Sequence, residues 1–111
     1  MKGLCVQIHT DISTASSAMQ IISILEQIAL DNNLVSKMEI TSDPSIGSYM
    51  NINFETPDLL LLWKIIQYAL SLTPEADLPR LPIIVVCEGE DSWSDYLLLY
   101  HYDKNEVVDT F

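Results

Sequence analysis

Residues 3–9 alternate, with Leu4, Val6 and Ile8 on one side and Cys5, Gln7 and His9 on the other, which predicts a strand. Asp11, Ser13 and Thr14 then form an N-cap cluster. From Ala15 to about Asp31 the spacing turns helical. Ala15, Ala18, Ile22, Leu25 and Ala29 fall on one stripe, widened by Ile21 and Ile28, and Asn32-Asn33 suits the C-cap. Two further alternating runs follow, over 35–42 and 46–55. Met38 and Ile40 alternate with Lys37, Glu39 and Thr41; Met50, Ile52 and Phe54 alternate with Tyr49, Asn51, Asn53 and Glu55. The turn signal Asp43-Pro44-Ser45-Ile46-Gly47 joins them into a predicted hairpin, with one face covered and one polar.

The second helix is marked at both ends. Thr56 is placed to cap it, Pro57 to open it and Asp58 to complement its dipole, and it runs to about Ser71 before Pro74 stops it. Its polar stripe is thin, only Lys64, Gln67 and Ser71, so burial on more than one side is expected. Thr73–Pro82 carries three prolines and three charges and reads as an extended surface linker. Ile83-Ile84-Val85-Val86-Cys87 is a continuous apolar run of the kind found in central strands. An acidic loop, Glu88–Asp95, comes next. Tyr96, Leu98, Tyr100 and Tyr102 then alternate with Leu97, Leu99 and His101, the tight turn Asp103-Lys104-Asn105 follows, and 106–111 reads as a short last strand. Strand, helix, strand, strand, helix, strand matches the ferredoxin-like βαββαβ arrangement. The expected fold is therefore α+β: a single domain over 1–111, an antiparallel sheet with both helices on one face, and an added C-terminal β-hairpin.

Charge changes what that scaffold is expected to do. The 111 residues are 49% apolar, enough for a core, yet sixteen acidic residues stand against five basic ones, for a net charge of −11. General nucleic-acid binding and docking on anionic membranes are disfavoured by repulsion, and encounter with a cationic protein is favoured. Such charge also serves solubility alone. Residues 1–55 carry a net −4 (six acids, two lysines) and residues 56–111 a net −7 (ten acids, three bases). The longest apolar stretch, Leu59–Leu72, is broken by Lys64, Gln67 and Ser71 and is too short to span a bilayer. The first residues lack the pattern of a signal peptide, so a cytoplasmic location is expected.

Motif chemistry is sparse. His9 and His101 are the acid–base candidates, and neither has a Ser, Cys or acid at a known catalytic spacing. Cys5 and His9 lie about 13 Å apart along one strand face and cannot share a metal ion without a bend. Glu88-Gly89-Glu90-Asp91 lacks calcium-loop spacing, and the three glycines do not form a phosphate loop. Neither a cofactor nor a metal is expected, and the chain reads as a binding protein rather than an enzyme. Trp93, between Asp91-Ser92 and Ser94-Asp95, either tucks back onto the domain or is an exposed anchor, since tryptophan is enriched among interface hot spots. Tyr96, Tyr100 and Tyr102 are placed to line one face beside it.

In size, acidity, lack of catalytic motifs and the acidic segments Glu88–Asp95 and Asp103–Asp109, the chain resembles the small immunity proteins of bacterial contact-dependent inhibition and related toxin systems. No functional residue is carried over by position. The resemblance implies an inhibitor that binds a toxin domain, often a nuclease, and blocks its active site. On that reading Glu88, Glu90, Asp91, Trp93, Asp95, Asp103 and Glu106 form the contact surface, with carboxylates pairing to the partner's cations and aromatics burying area. The alternatives are two. One is a ferredoxin-like small-molecule-binding regulatory domain or enzyme that oligomerises through its sheet, with a site near Gln7, His9, Asn51 and Asn53. The other is an acidic mimic of nucleic acid.

Overall fold

The computed structural model describes residues 1–9, 15–31, 33–42, 49–70, 82–103 and 106–109. Its elements are β1 (Lys2–His9), α1 (Ala15–Asp31), β2 (Lys37–Ser42), β3 (Tyr49–Thr56), α2 (Leu59–Leu70), β4 (Ile83–Gly89) and β5 (Ser92–His101). The five strands form one sheet in the order β2-β3-β1-β4-β5, with every neighbouring pair antiparallel. The fold is α+β.

The period-two pattern sorts the strands into two faces. Leu4, Val6 and Ile8 of β1 stand in register with Phe54, Ile52 and Met50 of β3, and with Cys87, Val85 and Ile83 of β4. Ala18, Ile21, Leu25 and Ile28 of α1, together with Leu62, Trp63, Ile66 and Leu70 of α2, close over this face in a single core. The α1 stripe is thus centred on Ile21, Leu25 and Ile28, with Ile22 and Ala29 only partly buried. The other face carries no helix from the described residues and keeps the polar members of the pattern: Gln7 opposite Asn51, and Cys5 opposite Asn53.

Helix α2 begins two residues later than expected, because β3 continues through Thr56. Asp58 is the cap: its Oδ1 accepts the Leu61 N–H (3.1 Å) and its carbonyl the Leu62 N–H (3.1 Å). Buried Thr56 turns the chain into that cap, its Oγ1 accepting the Asp58 N–H at 3.1 Å. The helix is also less enclosed than its composition suggests. Leu60, Leu61 and Tyr68 are exposed, Tyr68 at 85%, because among the described residues α2 packs chiefly on α1 and β1.

The last quarter departs furthest from expectation. The acidic stretch 88–95 is a loop only at Glu90-Asp91: Glu88 lies in β4 and Trp93–Asp95 in β5. Only one strand, not a hairpin, is added after β4 within the described residues. Asp109 instead clips the outer edge of β5, with its N–H on the Leu98 carbonyl (2.7 Å) and its carboxylate on the Leu98 N–H (2.8 Å). The side chain takes the donor that a sixth strand would use. The N-cap cluster at 11–14, Asn32, the turn at 43–47, most of the 73–82 linker and Lys104-Asn105 lie outside the described residues.

Cys5 and Cys87 sit on opposite faces of the sheet, Cys5 opposite Val86 and Cys87 opposite Leu4, so they cannot bridge. Burial pushes the Cys5 thiol up from 9.0 to about 11, and raises Cys87 more than the neighbouring Lys2 charge lowers it. A thiol more acidic in the unfolded chain stabilises the fold below pH 9, and that contribution is lost as pH rises toward 11. For Cys5 the expected loss is about 1.4 kcal/mol by pH 10. Urea unfolding of the wild type and of Cys5→Ala at pH 8 and pH 10 measures it, and equal slopes in both would remove the assignment.

Candidate functional site

The open face of the sheet holds a groove of about 460 Å³, within the size range of ligand-binding clefts. Cys5, Gln7, Asn51 and Asn53 form its floor, Ile84 and Val86 extend it along β4, and Trp93 and Tyr96 of β5 form its aromatic wall. Trp93 is 44% exposed and Tyr96 57%. Each is therefore part exposed and part covered by the domain.

Trp93 reaches the sheet through two glycines. A Cβ at Gly3 would stand 2.9 Å from Trp93 Cζ2 and 3.3 Å from Glu88 Oε1, so the missing side chain on β1 is what lets the indole lie across the face. Gly89 makes the turn possible: a Cβ there would overlap the Asp95 carbonyl oxygen and lie 2.6 Å from its Oδ1. Between the pairs Cys87↔Leu97 and Gly89↔Ser92 one residue of β4 faces four of β5. This irregularity swings Trp93 back over the sheet. Ser92, at φ 64°, takes the left-handed conformation that helps reverse the chain.

The carboxylates divide into two groups. Glu88, Glu90 and Asp91 stand beside Trp93 at one end of the hairpin, and Glu55 flanks Gly3 from β3. Asp95 is there too, but its carboxylate is committed to the backbone, where Oδ1 accepts the Asp91 N–H at 2.8 Å and closes the turn. Asp103 and Glu106 are at the far end of β5, a ten-residue strand spanning roughly 25–30 Å. The expected contact surface is therefore brought together at Glu88, Glu90, Asp91, Trp93 and Asp95, while Asp103 and Glu106 stand apart. Lys2 offsets part of the charge at the Trp93 end, with its Nζ on the Gly89 carbonyl at 2.7 Å.

The histidines gather at that far end. His9 Nε2 lies 2.8 Å from Gln7 Oε1, and its ring centroid is 5.0 Å from that of Tyr102, which is 4.7 Å from His101. The Asp103 N–H donates to His101 Nδ1 at 3.0 Å, so the neutral ring carries its proton on Nε2. Among the described residues no group of three or more His, Cys, Asp or Glu side chains is placed to hold a metal ion. No described helix is long and apolar enough to cross a membrane.

The three tyrosines do not share a face. Pairing passes from Val86↔Leu98 to Val85↔Tyr100, leaving Leu99 as a bulged residue that re-aims the strand. Leu99 and Tyr100 join the core side, Tyr96 lines the groove and Tyr102 stacks with the histidines. The groove is legible in the sequence only as a general location. Its signal there is the run of amides at Gln7, Asn51 and Asn53, on strand faces that normally alternate charged with apolar residues.

Compared with known proteins, the chain matches no family model, no curated protein and no solved structure.

Proposed function

We propose that this chain is an immunity-type inhibitor that binds a basic toxin domain, a nuclease foremost, and occludes its active site rather than catalysing a reaction itself. The strand order supports treating the first six elements as a ferredoxin-like unit extended by β5, with the open sheet face as the working surface. One observation carries the reading: Trp93 lies half-exposed on that face, with Glu88 beside the same Gly3 that it covers and Glu90 and Asp91 on the adjoining turn. A half-exposed aromatic flanked by carboxylates suits a surface rich in lysine and arginine, and nucleases display such residues toward their substrates. Exposed rim pairs add only about 0–1 kcal/mol each, so the carboxylates act chiefly on the rate of encounter.

Reversing Glu88, Glu90 and Asp91 to lysine is expected to slow association with the basic partner by about tenfold or more at low salt, and to flatten its salt dependence. Asp95 is left in place because its carboxylate holds the turn. Stopped-flow association across a salt series measures both effects, and unchanged kinetics would move the contact surface elsewhere.

The groove favours one second reading, a small-molecule-binding regulatory domain or enzyme that oligomerises through its sheet. Sedimentation separates the two: that reading requires a concentration-dependent symmetric dimer, and the inhibitor reading a 1:1 complex with a different chain.

A further inference from the structure

We infer that the groove is a socket for an arginine side chain of the partner, a conclusion that rests on the inhibitor reading above. The aromatic wall, Trp93 and Tyr96, is about half exposed. The floor is built of amides, and Gln7 and Asn51 stand directly opposite each other on β1 and β3, which places their Cβ atoms about 5 Å apart. Asn51 Oδ1 is buried and accepts no hydrogen bond among the described residues. The lining itself is uncharged. Carboxylates stand one step along the strands from Cys5 and Asn53, at Gly3: Glu55 is paired with it across β1 and β3, and Glu88 lies beside it.

These features select among cations. A guanidinium is flat, is weakly hydrated on its faces and carries five N–H donors in its plane. It stacks on an indole while its edge donates to amide and carboxylate oxygens. Asn51 Oδ1 is closed to solvent and unpaired among the described residues, so a turn of this side chain toward the groove would let an inserted N–H satisfy the acceptor. A lysine ammonium is compact, strongly hydrated and unable to stack, so it gains less here. Anions are disfavoured by the net charge of −11.

The test is a ¹H–¹⁵N titration of the full chain with Nα-acetyl-arginine amide, its lysine counterpart and its citrulline counterpart, which keeps the planar shape without the charge. The expected result is a saturable shift of the Trp93 indole N–H and the Asn51 side-chain N–H groups, with arginine binding about fivefold or more tighter than lysine or citrulline. Asn51→Leu should abolish that preference, and Tyr96→Ala, a more exposed change, should weaken binding with the backbone spectrum otherwise kept. Equal shifts from arginine and lysine, shifts confined to Glu90 and Asp91, or equal binding of citrulline would each overturn the socket. If arginine binds but no basic protein partner forms a complex, the socket stands and the inhibitor reading falls. If a Trp93-dependent complex forms while arginine leaves the groove untouched, the socket alone falls.

Discussion

Replacing Gly89 with alanine is expected to lower stability by about 2–3 kcal/mol. The new Cβ would overlap the Asp95 carbonyl and crowd its side chain. Asp95 cannot step aside freely, since its carboxylate holds the Asp91 N–H at 2.8 Å, and that turn positions Trp93. The cost is a large share of the about 5–15 kcal/mol that holds a domain together, and it should appear as a fall in Tm of about 10–15 °C. The near-ultraviolet signal of Trp93 should change with it, because the strand crossing that lays the indole on the sheet is the part that must move. Thermal unfolding of the variant, followed by both far- and near-ultraviolet circular dichroism, measures the two effects together. A variant as stable as the wild type would mean that β4 and β5 do not approach this closely.

Replacing Trp93 with alanine is expected to have the opposite balance. The side chain is 44% exposed and lies outside the core, so the fold should lose only about 1 kcal/mol. Binding of the basic partner should weaken by about 2–4 kcal/mol, or about 30- to 1,000-fold, as for a buried aromatic anchor. Trp93→Phe should retain part of that affinity, since the ring still covers Gly3. Calorimetric titration of the three forms measures the series. A loss confined to stability, with affinity unchanged, would make Trp93 a lid over the sheet rather than an anchor.

The period-two runs of β1 and β3, the continuous apolar run of β4 and the helical stripe of α1 are legible in the sequence because each buries one face. There the hydrophobic pattern records the packing directly. Strand β2 alternates too, but at the sheet edge its Ile40 stays exposed. The cap of α2 falls at Asp58 rather than Thr56 for a local reason. Both residues are good caps, and which one acts depends on how far β3 continues, which pairing with β1 decides through Lys2↔Thr56. The tyrosines of β5 mislead because alternation assumes an unbroken ladder. A single bulge at Leu99 reverses the parity of everything beyond it, and no residue type announces a bulge of that kind. Trp93 is visible as an unusual residue in a polar stretch, but its seat is not: the space beneath it comes from Gly3, ninety residues earlier in the chain. The acidic contact set looks continuous because its members are close in sequence, whereas an extended strand carries Asp103 and Glu106 away from Trp93.

On the proposed function, the open sheet face around Trp93 is expected to receive a basic protein domain. Hydrogen–deuterium exchange, on the protein alone and in a 1:1 complex with the basic domain it captures, tests it most directly. The predicted result is protection along β1 and β3 at Gln7, Asn51 and Asn53 and on the β4–β5 hairpin around Trp93, with the exposed side of α2 at Leu61 and Tyr68 unchanged. Protection confined to that helix, or the absence of any stoichiometric complex with a basic domain, would contradict it.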